Sequence, residues 1–189
     1  MLVACGARPL DPLAVGRMVG DGAATLVARA FAAADLAAPP DALDRFLAIY
    51  DTRLLVHTQP YEGIPGVLGE LGTRGALALL TNKPLAATRR ILDGLDLARY
   101  FPADAVVGGD GTFPRKPHPA GLRHLSARVG VSAADTLLVG DSAIDWRTAR
   151  NAGSPVCLAR YGFGFEGFDV KQLSQKDRVI DRPSELLKL

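Results

Sequence analysis

Cysteine is nearly absent: Cys5 and Cys157 are the only 2 in 189 residues. That is too few for a disulfide framework, and neither stands in a C-x-x-C or zinc-type spacing. A disulfide-stapled scaffold and a structural zinc module are excluded, and a reducing, cytoplasmic setting is expected. Long hydrophobic runs are missing as well. No stretch approaches the roughly 18 to 20 apolar residues of a membrane-spanning helix. Leu2-Val3-Ala4-Cys5, preceded only by Met1, lacks the basic start and apolar stretch of an export signal. There is no excess of charge of either sign, because 22 Lys+Arg stand against 20 Asp+Glu for a net +2. So balanced a chain does not mark a nucleic-acid or anionic-membrane partner by bulk electrostatics. With 48% hydrophobic and 22% charged residues, the chain reads as one globular domain or a domain carrying a small insertion.

Residues 1 to about 57 read as helices. Asp11-Pro12 is an N-cap followed by proline at the first helical position, predicting a helix to about Val19 that Gly20-Asp21-Gly22 breaks. From Ala23 to Leu36, the residues Leu26, Val27, Ala30, Phe31 and Ala34 recur at helical period. A third helix starts at Pro39-Pro40-Asp41, with Leu43, Phe46, Leu47 and Tyr50 as its stripe. Residues 1–57 are thus expected to be a small all-α subdomain, and residues 58–189 an α/β core. After Pro60 short apolar runs alternate with helical segments, the pattern of a parallel sheet. The expected strands are Ala76–Leu80, Ala105–Val107, Thr136–Val139, Pro155–Leu158 and Arg178–Ile180. The expected helices are Gly66–Leu71, Pro84–Leu92, Pro119–Val129 and Ile144–Ala152.

Reactive loops leave the carboxyl ends of such strands, and three candidates stand there. Leu137-Leu138-Val139-Gly140-Asp141 delivers a carboxylate to a strand end, with Asp145 four residues on in the first turn of a helix. Converging carboxylates suit Mg²⁺, a hard cation that takes oxygen ligands; the same two residues also suit a helix cap. Leu79-Leu80-Thr81-Asn82-Lys83-Pro84 ends a strand in a hydroxyl, and its amides could hold an anionic oxygen or make an ordinary turn. In Arg115-Lys116-Pro117-His118-Pro119, two prolines restrict the backbone around Lys116, which suits balancing phosphate charge or a solvated turn. Taken in order, a hydroxyl, a lysine and a carboxylate pair would surround a phosphoryl group and its Mg²⁺.

With these motifs, the chain resembles the haloacid dehalogenase superfamily and, within it, the phosphoglycolate phosphatase-like phosphatases. The likeness extends to Met18-Val19-Gly20-Asp21-Gly22-Ala23, Pro60-Tyr61-Glu62-Gly63 and Val107-Gly108-Gly109-Asp110. The resemblance implies a Rossmann-like parallel sheet core under a small all-α cap, and a Mg²⁺-dependent phosphatase of small phosphate esters. It implies that Thr81 and Asn82 bind the phosphoryl group and that Lys116 neutralises charge in catalysis. It also implies Asp141 and Asp145 at the metal, with Asp145 supporting the ion or ordering Lys116. The cap would close over the site, with Asp21 and Arg29 as candidates for selectivity. The partner implied is a small phosphorylated metabolite, neither nucleic acid nor membrane, with the protein a monomer or homodimer.

One family feature is absent. The superfamily's reaction runs through an aspartyl-phosphate on the first aspartate of a D-x-D-G-T motif closing the first strand, and no D-x-D occurs in these residues. Met1–Leu10 is expected to be the middle of the first cap helix, so a strand and part of a helix, about 25 residues, are expected to be missing before Met1. The sheet neighbours of that strand would keep unpaired backbone groups. A start site placed too late is one expectation. A catalytically inactive phosphate- and metal-binding protein is the alternative.

Other signals carry less. Gly162-Phe163-Gly164-Phe165-Glu166-Gly167 matches G-x-G-x-x-G but opens no evident helix, so a flexible loop is expected rather than a dinucleotide site. His57, His118 and His124 form no metal spacing. Trp146 is expected to pack, and Ser142 lacks a nucleophile elbow. A phospho-acceptor receiver domain shares the aspartates and the lysine, but the helical segment and the Thr81-to-Lys116 spacing speak against it.

Overall fold

The computed structural model describes residues 1–189, and the chain divides into two compact units, residues 1–57 and 58–189. In the first unit, a 3-10 turn at Leu2–Cys5 is closed by Gly6 at φ 85°. It is followed by α1 (Pro12–Gly16), α2 (Ala23–Ala33) and α3 (Ala42–Arg53). Met1–Leu10 is therefore not the interior of a helix. The left-handed Gly6 stops the turn, and Pro9 cannot supply the amide a continuing helix needs. The Asp-Pro start behaves as predicted, with the Asp11 side chain accepting from the Ala14 amide at 3.3 Å. The helix ends at Gly16, three residues short of Val19. Val27 and Phe31 of α2 bury together with Ala42 of α3, and Met1, Leu2, Cys5, Leu36, Leu43 and Phe46 pack against them. The Phe46 and Tyr50 rings stack at 5.7 Å.

The second unit alternates α4 (Ile64–Arg74), β1 (Leu79–Leu80), α5 (Leu85–Gly94), β2 (Val106–Val107), α6 (Ala120–Arg128), β3 (Leu138–Gly140), α7 (Ala143–Ala152), β4 (Val156–Ala159) and β5 (Arg178–Ile180). It is an α/β fold in which every strand pairing is parallel. All five expected strands form, mostly trimmed or shifted by a residue or two. β1 keeps only the last two residues of Ala76–Leu80. The strands lie in two sheets rather than one, β1-β2 and β3-β4-β5, and β1 does not pair with β3.

The centre of the larger sheet is β4, whose four residues are all buried. Val156 and Leu158 pack with Leu122 of α6 and with Ala149 and Ala152 of α7. Cys157 and Ala159 point the other way and pack with Val67 of α4, Ile180 of β5 and Leu186. Burial on both faces explains why this strand is a continuous apolar run. By contrast β3, at the sheet edge, buries Leu138 to 8% exposure and leaves Val139 at 43%. Burial pushes the Cys157 thiol up to about 11, which removes it from nucleophilic chemistry near neutral pH. No helix is long and apolar enough to cross a membrane.

Candidate active site

The carboxyl ends of β1, β2 and β3 deliver Thr81-Asn82-Lys83, Gly108-Gly109-Asp110 and Asp141. Local rules place the third of these. Ser142 is the N-cap of α7 and Asp145 its third residue, and together they form a capping box. One oxygen of Asp145, Oδ2, accepts from the amides of Asp141 at 3.2 Å and Ser142 at 3.1 Å and from the Ser142 hydroxyl at 2.7 Å. Its other oxygen, Oδ1, accepts from Lys116 Nζ at 2.7 Å. Asp145 is 4% exposed, and burial alone would push its carboxyl up. The charge and hydrogen bond of Lys116, with those from Ser142 and the Asp141 amide, outweigh burial and hold it below the ordinary carboxylate range.

Lys116 is held at its backbone as well. The Asn82 carboxamide accepts from the Lys116 amide at 2.8 Å and donates to the Lys116 carbonyl at 3.0 Å. One buried side chain at the end of β1 thus grips the main chain of the residue whose ammonium reaches the start of α7. Asn82 therefore touches Lys116 at both its amide and its carbonyl. Asn82→Ala leaves the part-buried Lys116 amide and carbonyl without this partner, at up to about 1–3 kcal/mol each. A lower urea midpoint is the expected outcome, and an unchanged midpoint would deny the grip.

Thr81 continues β1, its amide donating to the Val107 carbonyl at 3.0 Å. Its hydroxyl oxygen accepts from the Lys83 amide at 3.1 Å, which leaves the O–H proton for an outside acceptor. The loop after β2 supports this turn. Gly109 N donates to Lys83 O at 2.8 Å, Arg115 Nε donates to Gly109 O at 2.6 Å, and Asp110 accepts from the Leu85 amide at 2.7 Å. Sequence reasoning missed this role for Arg115 and Asp110. The glycine pair that closes a strand in Val107-Gly108-Gly109-Asp110 is the signal that could have found it.

Asp141 stands apart from the capping box. Its Oδ2 accepts from the Gly164 amide at 3.0 Å, and Oδ1 accepts no hydrogen bond. Tyr61 and Tyr161, edge to face at 4.9 Å, lie near enough that the carboxylate adds to burial in pushing both phenols up. No group of three or more His, Cys, Asp or Glu gathers anywhere. A cation here would take Asp141 and complete its shell from water and substrate oxygens, the shell that Mg²⁺ accepts. Both Asp145 oxygens are already committed to protein donors.

The remaining candidates are placed elsewhere or carry no chemistry. Asp21 pairs with Arg29 at 2.6 Å inside the helical unit. His57, His118 and His124 are all exposed. Trp146 packs edge-on against Phe168 at 5.9 Å, and its Nε1 is buried without a partner. Gly162–Gly167 opens no helix and lies instead against Asp141.

Four similarities bear on this arrangement. The family described as haloacid dehalogenase-like hydrolase matches residues 3–153. The phosphoglycolate phosphatase of Rhodospirillum rubrum is 47% identical over 167 residues, 84% of this chain and 68% of that protein. That of Nitrosospira multiformis is 36% identical over an alignment of 196 positions covering 100% of this chain and 84% of its own. Among solved structures, a predicted phosphoglycolate phosphatase from Haemophilus somnus superposes with a TM-score of 0.86 at 26% identity, covering 99% of this chain and 85% of that one.

Proposed function

The chain belongs to the haloacid dehalogenase-like hydrolases, and from that premise we propose that it is the phosphoryl-binding body of a Mg²⁺-dependent phosphatase acting on phosphoglycolate or a similarly small phosphate ester. The observation that carries this reading is the bridge from Asn82 through Lys116 to Asp145, 3.0 and 2.7 Å long, which holds an ammonium among the strand ends. The names of the similar proteins support phosphoglycolate as the ester.

Each residue then has a bounded task. Lys116 donates one N–H to Asp145, so two remain for phosphoryl and nucleophile oxygens. Thr81 donates its O–H to a phosphoryl oxygen, which can only accept, while its own oxygen accepts from the Lys83 amide. Asp141 would hold Mg²⁺, which when bound offsets the charge building on the phosphoryl oxygens. Asp145 acts through Lys116, keeping the ammonium in place. The family's attacking carboxylate is the first aspartate of a D-x-D motif, and no D-x-D occurs among these 189 residues. The product of each turnover is inorganic phosphate and the dephosphorylated alcohol.

The test is phosphate release from 2-phosphoglycolate with and without Mg²⁺, by the chain as it stands and by an extended protein carrying a strand that ends in D-x-D ahead of Met1. Mg²⁺-dependent release is expected from the extended protein and its abolition by Asp141→Asn. Failure of the extended protein on a panel of small phosphate esters would leave the alternative, a protein that binds phosphate and metal without turnover.

A further inference from the structure

We propose that the Gly162-Phe163-Gly164 turn is a main-chain clamp that fixes the Asp141 carboxylate for a divalent cation, a role that rests on reading Asp141 as the cation's ligand. The turn leaves the carboxyl end of β4, the strand paired with β3, so it reaches the neighbouring strand end where Asp141 sits. The Gly164 amide donates to Asp141 Oδ2 at 3.0 Å. That bond commits one oxygen to the protein and leaves Oδ1 as the one available to a cation.

Both glycines are required by proximity. A Cβ on Gly162 would lie 2.2 Å from Asp141 Cβ and 2.5 Å from its Oδ2. A Cβ on Gly164 would lie 2.6 Å from Ser142 Cβ and 3.2 Å from Asp141 Oδ1. No side chain fits at Gly162 without moving the carboxylate. Flanking aromatics hold the turn at both ends. Tyr161 sits edge-on to Tyr61 at 4.9 Å, while Phe165 lies beneath the Arg160 guanidinium at 5.6 Å and against Phe168 at 6.1 Å. Two glycines that in a dinucleotide site would let the backbone approach a pyrophosphate here let it approach a carboxylate.

Hydrogen-bond partners of metal ligands set ligand orientation, and their loss weakens metal binding about 10–100-fold. Gly162→Ala in the full chain should weaken Mg²⁺ binding by about that factor in a calorimetric titration. Mg²⁺ affinity within twofold of wild type in Gly162→Ala would overturn the clamp. A second measurement needs neither the cation nor that variant. The Gly164 amide should be protected from hydrogen exchange in the wild-type protein, and Asp141→Ala should remove the protection. Exchange at the open-chain rate in wild type would overturn the contact itself. A wild-type protein with a protected Gly164 that binds no Mg²⁺ would instead sink the cation reading of Asp141, and the proposed role of the clamp with it.

Discussion

Lys116→Ala should lower folding stability by about 3–5 kcal/mol, because it strands the Asp145 carboxylate in the interior. The pair is well buried, with side-chain exposures of 15% for Lys116 and 6% for Asp145, so solvent does little to screen the loss. Asp145 keeps its bonds to Ser142 and the Asp141 amide, which places the expected loss at the lower end of the range. The effect carries a pH signature. In the wild type, the Asp145 carboxyl is held below its ordinary value. The stability this gives is therefore complete above the unfolded-state pKa of about 3.9 and is lost as pH falls through the folded value. In the variant the stranded carboxylate gains from protonation, so the gap between the two proteins should be widest near neutral pH and shrink toward pH 4. Urea midpoints at the two pH values test this. A gap that does not change with pH would mean that lost packing, not lost charge, causes the defect. In a form that turns over, the same substitution removes two donors from the phosphoryl and nucleophile oxygens, and a drop of about 10²–10³ in kcat is expected.

Gly140→Ala should be nearly as damaging although it adds a single methyl. A Cβ there would stand 2.3 Å from Asp145 Cγ and 2.4 Å from Asp145 Cβ, well inside van der Waals contact. The obstructed side chain cannot swing aside cheaply. It is short, and its Oδ2 is tied to two amides and a hydroxyl while Oδ1 is tied to Lys116. Relief requires moving the capping box, the lysine or the end of β3. Overpacking of this kind costs about 1–3 kcal/mol, and a lost cap adds about 1 kcal/mol. A lower thermal midpoint with weakened phosphate binding is the expected result. A variant with the wild-type midpoint would show that the close approach of Asp145 to the strand is not required.

Much of this was legible along the chain, because it is local. The Leu-Leu-Val-Gly-Asp run identifies a strand end with a carboxylate, and Ser142 with Asp145 three residues on identifies the cap of α7. The apolar run of β4 carries its own strand signal, and Asp11-Pro12 starts α1 where capping chemistry requires. Local reading failed where a nearby glycine or proline overrode the apolar pattern, as at Met1–Leu10. It also gave no sign that the Asn82 carboxamide grips the Lys116 main chain.

The residues of the candidate site, and the kind of chemistry they suit, followed from amino-acid order alone, since residue types at successive strand ends are a property of the chain. Which of them touch was decided by the fold. Asn82 meets Lys116 across 34 positions, Lys116 meets Asp145 across 29, and Gly164 meets Asp141 across 23. Such contacts depend on how parallel strands align and on how closely backbones approach, and no local preference encodes either. The sparse cysteine and balanced charge excluded whole classes of protein from the start. Only tertiary packing buries Asp145 against a lysine and sets a discounted glycine motif against Asp141.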